Sequence, residues 1–415
     1  SFIAHNGLEI KMNRLSWAAV LLALSTAAGA QQTALTETKA IRIGLDRDLV
    51  QQRAAGNLGQ AQSEVLSAGT WPNPEFSYER EALEGLDLVE QKIIVSQEFD
   101  VSGRRGLHMQ AADLHLDAAR YESEAWRAEL IRKIRERYYE ALFQQKRQTA
   151  HVETQKRIRL LNAALKRRHD EGDVQLYDYQ RVITERAAIE AKVNNAAVDF
   201  NTSRLSLWAL LGEGADDFQV LEGELLPLPP AALDQSSLSL NEQPALRHLQ
   251  VRSEAYALQQ RAESRTFPDV TLGLGWKRDE VGDQSDDGLI INASIPIPLF
   301  DRRKSNQYSY QAQSMIASSE YQLAYDAAKA ELKGLWQQSA QYRQNALRYR
   351  KDAVQAVNEL IEIAETYYRA GEIGIIELLD AYRSALDAEL TALEFEYKAR
   401  SARIKLDYLV GEAWQ

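Results

Sequence analysis

The sequence predicts an internally duplicated α+β chain. Long α-helical hairpins alternate with β-hairpins whose strands are of the kind found in a membrane barrel. Three observations predict it: a repeat at fixed offset, prolines placed so that two long stretches contain none, and two segments of strict period-two alternation. The repeat comes first, because a fixed-period duplication governs every later assignment. Lys166–Glu213 overlays Glu365–Glu412 without gaps at one offset, 371 − 172 = 199 residues. Identical pairs are Gly172/Gly371, Glu190/Glu389, Arg204/Arg403, Leu207/Leu406, Leu210/Leu409, Gly212/Gly411 and Glu213/Glu412. Conservative pairs include Asp173/Glu372, Val174/Ile373, Leu176/Ile375 and Asp178/Glu377. Each copy reads as a helix arriving, a break at the glycine, and a second helix returning.

Composition narrows the class. At 415 residues, 45% hydrophobic and 26% charged, the chain has enough apolar sequence for a large core and enough charge to be well solvated. A net charge of −11 speaks against a nucleic-acid groove, which needs clustered Lys and Arg. The absence of cysteine excludes disulfides, thiol catalysis, thiolate metal sites and a lipid anchor on Cys. Residues 1–30 read as upstream sequence and a cleaved leader. Ser1–Lys11 precede an apparent initiator, and Met12-Asn13-Arg14 is a basic start. Leu15–Leu24 is apolar apart from Ser16, and Ala28-Gly29-Ala30 is a small-residue cleavage site. No later apolar run approaches the ~20 residues of a spanning helix. An exported chain without a membrane-spanning helix is expected.

The remaining elements divide into a first repeat over 31–226, a linker over 227–243 and a second repeat over 244–415. Glu75–Leu226 and Leu299–Gln415 contain no proline and are rich in strong helix formers. A helix from Gly106 to about Asp170 would be ~95 Å long at ~1.5 Å per residue. In the second repeat Leu332, Leu335, Ser339, Tyr342, Ala346, Tyr349, Ala353, Ala356, Leu360, Ile363 and Tyr367 follow an unbroken 3-4-3-4 spacing, which predicts a coiled-coil seam. The returning helix continues it with Leu379, Tyr382, Leu386, Leu390, Leu393 and Tyr397. Frequent Ala lets helices approach closely on several sides, which suits a helix with many helical neighbours; an isolated antiparallel coiled coil is the alternative.

Two segments change period. After Pro72-Asn73-Pro74, Phe76 and Tyr78 alternate with Glu75, Ser77 and Glu79. A Glu84-Gly85-Leu86-Asp87 turn follows, and Val89, Gln91, Ile93, Val95, Gln97 and Phe99 then share one face. After Phe267-Pro268, Val270, Leu272, Leu274 and Trp276 alternate with Thr271, Gly273, Gly275 and Lys277. A polar loop over Glu280–Asp287 leads to Leu289, Ile291, Ala293, Ile295 and Ile297. Alternation around a turn predicts β-hairpins over 74–100 and 268–300. Both run into basic pairs, Arg104/Arg105 and Arg302/Arg303, which suit a membrane interface as snorkelling cations and suit a plain helix junction equally. Four strands cannot close a barrel, and an open sheet is excluded from lipid, so strands in a membrane must be pooled between copies. Three chains would supply 3 × 4 = 12 strands under cyclic symmetry. A soluble β-sandwich cap is the alternative for the hairpins alone.

The duplicated order, Asn73-Pro74 before the first strand and Phe267-Pro268 before the third resemble the outer-membrane efflux protein family, the TolC-like channels. So do Tyr368-x-x-Gly371-x-x-Gly374-x-x-Glu377-Leu378-Leu379-x-Ala381 and the terminal Leu409-Val410-Gly411-Glu412. The resemblance covers essentially all of Gln31–Gln415. It implies a homotrimer with a 12-stranded barrel in the lipid of a Gram-negative outer membrane, above a helical tunnel of ~100 Å through the periplasm. It places Gly172, Asp173, Val174 and Gly371, Glu372, Ile373, Gly374 at tips that meet a periplasmic adaptor, itself joined to an inner-membrane pump of the RND type. It also places Glu377 and Asp380, six and nine residues after the tip glycine, around the periplasmic aperture. Carboxylates repeated around a narrow neck would attract cations and repel anions. Acids also sit well at a helix start, where the macrodipole favours them. Three positions depart from the family pattern: His169 opposite Tyr368, Gln175 where a small residue is usual, and Ile373 where a basic residue can stand.

The implied function is a passive exit duct of a tripartite efflux or type I-like secretion system, with energy supplied by the pump. The overall proportions resemble the heavy-metal-efflux branch. A periplasmic coiled-coil adaptor or scaffold without its own barrel is the alternative. An enzyme is not expected, nor a cofactor or nucleic-acid partner. The six histidines form no ligand cluster, Gly273 and Gly275 lie within a strand, and three methionines make no ladder for soft metals.

Overall fold

The computed structural model describes residues 34–83, 88–212, 218, 220–233 and 239–411. The expected leader, the Glu84–Asp87 turn, Glu213 and Glu412 at the ends of the two copies, and residues 234–238 of the linker lie outside the described residues.

Two β-hairpins are each flanked by helices and each followed by a pair of long helical arms. Helices α1 (Glu37–Leu45) and α2 (Asp48–Gly69) precede strands β1 (Glu75–Leu83) and β2 (Leu88–Phe99), then α3 (Arg104–Asp170) and α4 (Leu176–Leu211). Helix α5 (Pro244–Ser264) precedes β3 (Val270–Val281) and β4 (Gln284–Ser294). Next come α6 (Lys304–Tyr349), a π-helical turn (Arg350–Val354), α7 (Gln355–Ala370) and α8 (Ile375–Val410). Both return helices have 36 residues. At 67 residues α3 is about 100 Å long, so no globular core could stabilise it along its whole length. Side-by-side helices do so instead: α3 packs against α2, α4, α5 and α8, and α6 against α5 and α8. No described helix is long and apolar enough to cross a membrane.

Both breaks between long helices are closed by the same pair of hydrogen bonds, at the 199-residue offset. Gly172 and Gly371 are left-handed, with φ of 84° and 78°. Their N–H groups donate to the carbonyls of His169 (3.0 Å) and Tyr368 (3.1 Å). The next N–H groups, of Asp173 and Glu372, donate to Arg168 (2.8 Å) and Tyr367 (2.9 Å). This is a Schellman cap, and only glycine enters it without strain.

The four strands form one open antiparallel sheet in the order β1-β2-β3-β4. The two hairpins are joined by β2–β3 pairing, with Ile93 opposite Trp276 and Val95 opposite Leu274. Paired residues share a face, so the register assembles apolar rows: Tyr78, Ile93, Trp276, Leu289, and Phe76, Val95, Leu274, Ile291. These side chains are exposed, Leu289 and Ile291 at 76%. The opposite face is polar, and its rows include Glu79, Lys92, Lys277 and then Glu81, Glu90, Asp279, Asp286. On that face Gly273 and Gly275 lie beneath Ile94; a Cβ on Gly275 would collide with the Ile93 carbonyl and reach 2.8 Å from Ile94.

The second hairpin differs from expectation at both ends. The polar stretch expected as a loop over Glu280–Asp287 is mostly strand, because pairing continues to Val281–Gln284 around a two-residue turn. Gly282, with φ of 56°, takes the first central position that such turns require of glycine. Conversely β4 ends at Ser294, before Ile295 and Ile297, since each following proline lacks a ladder donor.

The seam of the second long helix also differs. Leu332, Leu335, Ser339 and Ala346 are buried as expected, and Tyr349 packs on Val354, Ala388 and Ala392. Below Tyr349 the buried set moves by one residue, to Val354, Ile361 and Ala364 with Val357 and Tyr368 beside them. Leu360, Ile363 and Tyr367 are left outward. The π-turn is the cause: it accommodates one extra residue and rotates everything after it by one position.

The segments before α1 and after α4 and the helices are tied together near mid-height. Leu35 bridges Leu221 in parallel, and buried Tyr138 donates to the carbonyls of Leu35 (2.8 Å) and Glu222. Arg135 pairs with Glu37 and Asp407, and Arg400 donates to the carbonyls of Glu224, Leu225 and Leu226. Arg403 and Arg343 hold the Pro229 and Pro227 carbonyls, so the described part of the linker is strapped to the helices.

Candidate functional site

The residues predicted for the aperture and tips are brought to one end. Around the tips Ile158, Leu161, Leu165, Val182, Ile361, Ile375, Leu378 and Tyr382 form one buried cluster, which fixes both helical hairpins against each other. The first turns of α8 bury Ile375, Leu378, Leu379, Ala381 and Tyr382 and leave Glu377 and Asp380 in solvent on a common face with Asp387. Glu377 is the third residue of α8 and folds back over its start: an Oε2 lies 2.9 Å from where a Cβ on Gly374 would stand. A carboxylate there faces the positive end of the helix dipole. Gly172, Asp173, Gly371, Glu372 and Gly374 are exposed at the tips, while Val174 and Ile373 lean into the cluster.

The two tips are not chemically equivalent. In the first, His169 stacks on Tyr179 (4.7 Å between ring centres) and its Nδ1 lies 3.3 Å from the Val174 carbonyl. In the second, burial raises the Tyr368 phenol above its ordinary pKa.

Contacts that link α7, the π-turn and α8 to one another and to α4 were not legible in the sequence. Arg383 on α8 forms a two-point ion pair with Glu185 on α4, Nε to Oε1 at 3.0 Å. The hydrogen bond from Arg383 holds the Glu185 carboxyl below its usual pKa. Arg350, the first residue of the π-turn, donates to Glu396 (2.7 Å) and Glu389 (2.5 Å) on α8. Tyr382 donates to Glu365 (3.0 Å). Each joins residues far apart in sequence, and no spacing rule announces them.

The basic pairs at the base of the sheet have unequal roles. Arg104 is buried and paired with Asp269, while Arg105 donates to the Gly69 carbonyl and lies 4.2 Å over the Trp71 ring. Arg303 reaches toward Glu263 at 3.6 Å, and Arg302 is exposed. Three of the four are thus turned into the sheet–helix junction rather than outward. Among the described residues no His, Asp and Glu side chains converge as a metal-holding group.

Residues 236–412 match the outer membrane efflux protein family. This chain carries an outer membrane efflux protein domain. The efflux domain spans the linker's end and the whole second set of elements, including the tip and α8. Over 388 residues the chain is 24% identical to the cobalt-zinc-cadmium resistance protein CzcC of Cupriavidus metallidurans, covering 91% of this chain and 90% of that protein. It is also 24% identical over 263 residues to the nickel-cobalt-cadmium resistance protein NccC of Alcaligenes xylosoxydans xylosoxydans, covering 60% and 58%. The fold is similar to that of the outer membrane protein VceC from Vibrio cholerae, with a TM-score of 0.73 at 21% identity over 90% of this chain and 96% of that one. Efflux proteins of this kind are channels, not enzymes.

Proposed function

We propose that this efflux protein is the outer-membrane exit duct of a tripartite system, a homotrimer that conducts substrate passively from a periplasmic adaptor and an inner-membrane pump to the outside. One observation carries it: an open four-stranded sheet with an exposed apolar face and two unpaired edges. Such a sheet is neither stable in water nor admissible in lipid alone. Three copies pairing β1 with a neighbouring β4 give 12 strands, an even number suited to an outer-membrane barrel. The polar face then lines the lumen, carrying Glu81, Glu90, Asp279 and Asp286, and the helices continue the duct below as an internally repeated bundle.

Under this proposal the chain sits in the outer membrane of a Gram-negative bacterium with its helices in the periplasm. The tips at Gly172–Val174 and Gly371–Gly374 receive the adaptor, and Glu377 and Asp380 ring the aperture. Arg302 lies at the membrane boundary. The names of the CzcC and NccC relatives and the acidic lumen together favour divalent heavy-metal cations as cargo, drawn through by local cation enrichment.

Planar-bilayer recordings test the aperture. The duct should be cation-selective, and Glu377→Gln with Asp380→Asn should reduce that selectivity, the effect growing as salt is lowered. Unchanged selectivity at low salt would remove these two residues from the aperture.

A further inference from the structure

The end of the π-turn and helix α7 together carry two apolar stripes one residue apart. Val354, Val357, Ile361, Ala364 and Tyr368 face the protomer's own helices, with Ile361 and Ala364 only 4% and 5% exposed. Leu360, Ile363 and Tyr367 are 44%, 50% and 47% exposed. Both stripes keep 3-4-3-4 spacing, but only the exposed one continues the seam of α6 without interruption. The buried stripe is reached through the π-turn at Arg350–Val354. Left as plain α-helix, the same residues would present Leu360, Ile363 and Tyr367 inward.

We propose that α7 has two seats, exchanged by forming or dissolving this π-turn. Dissolving it turns α7 by about 100° and advances it by about 1.5 Å, one residue's worth. Three features of the structure make this feasible. The upper end is pinned to α8 by Arg350 through Glu389 and Glu396, so rotation is confined to the segment below. The lower end joins α8 through left-handed Gly371 and exposed Gly374, which can absorb a change in backbone angles. Beside the π-turn lies a groove of ≈ 490 Å³, bounded by Thr149 and Glu153 on α3, Asn358 on α7 and Glu389 on α8. Packed cores favour discrete alternatives over gradual deformation, and two complete stripes supply two such alternatives. The exchange would move the segment leading to Glu377 and Asp380; only this consequence rests on the duct proposal.

The chain has no cysteine, so a single introduced thiol reports seat occupancy without background. Ala364→Cys in the full-length detergent-solubilised protein should react slowly with a maleimide, each reaction requiring exchange out of the buried seat. Deleting Asp352, an exposed residue of the π-turn, closes the turn to α-helix with the buried stripe still inward and no spare residue left. Reaction at position 364 should then slow by about tenfold or more. Leu360→Asn with Ile363→Asn alters no residue buried within the protomer in the observed seat but penalises the other seat, and it should slow the reaction likewise. Equal reaction rates in all three backgrounds would overturn the proposal, as would slowing by the deletion alone. Because the readout is thiol reactivity, loss of channel activity in any of these proteins would bear on the duct and not on the two seats.

Discussion

At the scale of single residues, the junction between sheet and helices hangs on charges held out of water. Arg104 opens α3 and is 9% exposed, and Asp269 immediately precedes β3. Removing one partner strands the other, so Asp269→Ala should cost about 3 kcal/mol in denaturant unfolding. Replacing both by apolar residues of similar volume, Arg104→Met with Asp269→Leu, should recover most of that loss; a double variant as unstable as the single would contradict the account. Glu185 behaves differently, because the Arg383 side chain is 41% exposed and solvent screens the pair. Its carboxyl is held below the ordinary value of 4.5, chiefly by the hydrogen bond from Arg383. A depressed acid contributes its stability above the unfolded value and loses it as pH falls through the folded one. Wild type should therefore exceed Glu185→Gln by about 1 kcal/mol or less at pH 7. That advantage should disappear below pH 4.5 in thermal melts across an acid series. An advantage that persists in strong acid would mean the pair contributes packing rather than charge.

At the scale of elements, what was legible followed from local rules. Period-two alternation located all four strands, because sheet faces alternate regardless of what the sheet packs on. The glycine offset located both tips, because a Schellman cap needs a left-handed residue. Misplacements have equally local causes. A two-residue turn at Gly282 let charged residues pair as strand, and prolines 296 and 298 stopped β4 short of Ile295. The seam below Tyr349 was ambiguous in principle, since two stripes share the same spacing and only tertiary packing chooses between them. The Arg350 and Arg383 pairs were invisible for another reason: each joins helices separated by tens of residues or more, where neither spacing nor propensity carries information. The basic pairs looked alike in sequence, yet Arg104 is internal and Arg302 is not, a distinction set by the acidic Asp269 and Glu263 opposite.

At the scale of the whole molecule, the chain is organised along a line rather than around a centre. Buried clusters occur at the tips, at mid-height and beside the linker, joined by helices whose remaining faces include exposed apolar residues such as Leu160, Leu205 and Leu323. The sheet's two free edges demand the same remedy at the other end. The proposed ring of copies would answer both, each protomer meeting its two neighbours through different surfaces, β1 on one side and β4 on the other. The measurement that tests this most directly is native mass after separating inner and outer membranes and extracting with mild detergent. The account predicts an outer-membrane species of about three chains, the number that brings four strands each to a closed barrel. A monomer or dimer released by salt without detergent would contradict it and leave the sheet without a membrane to face.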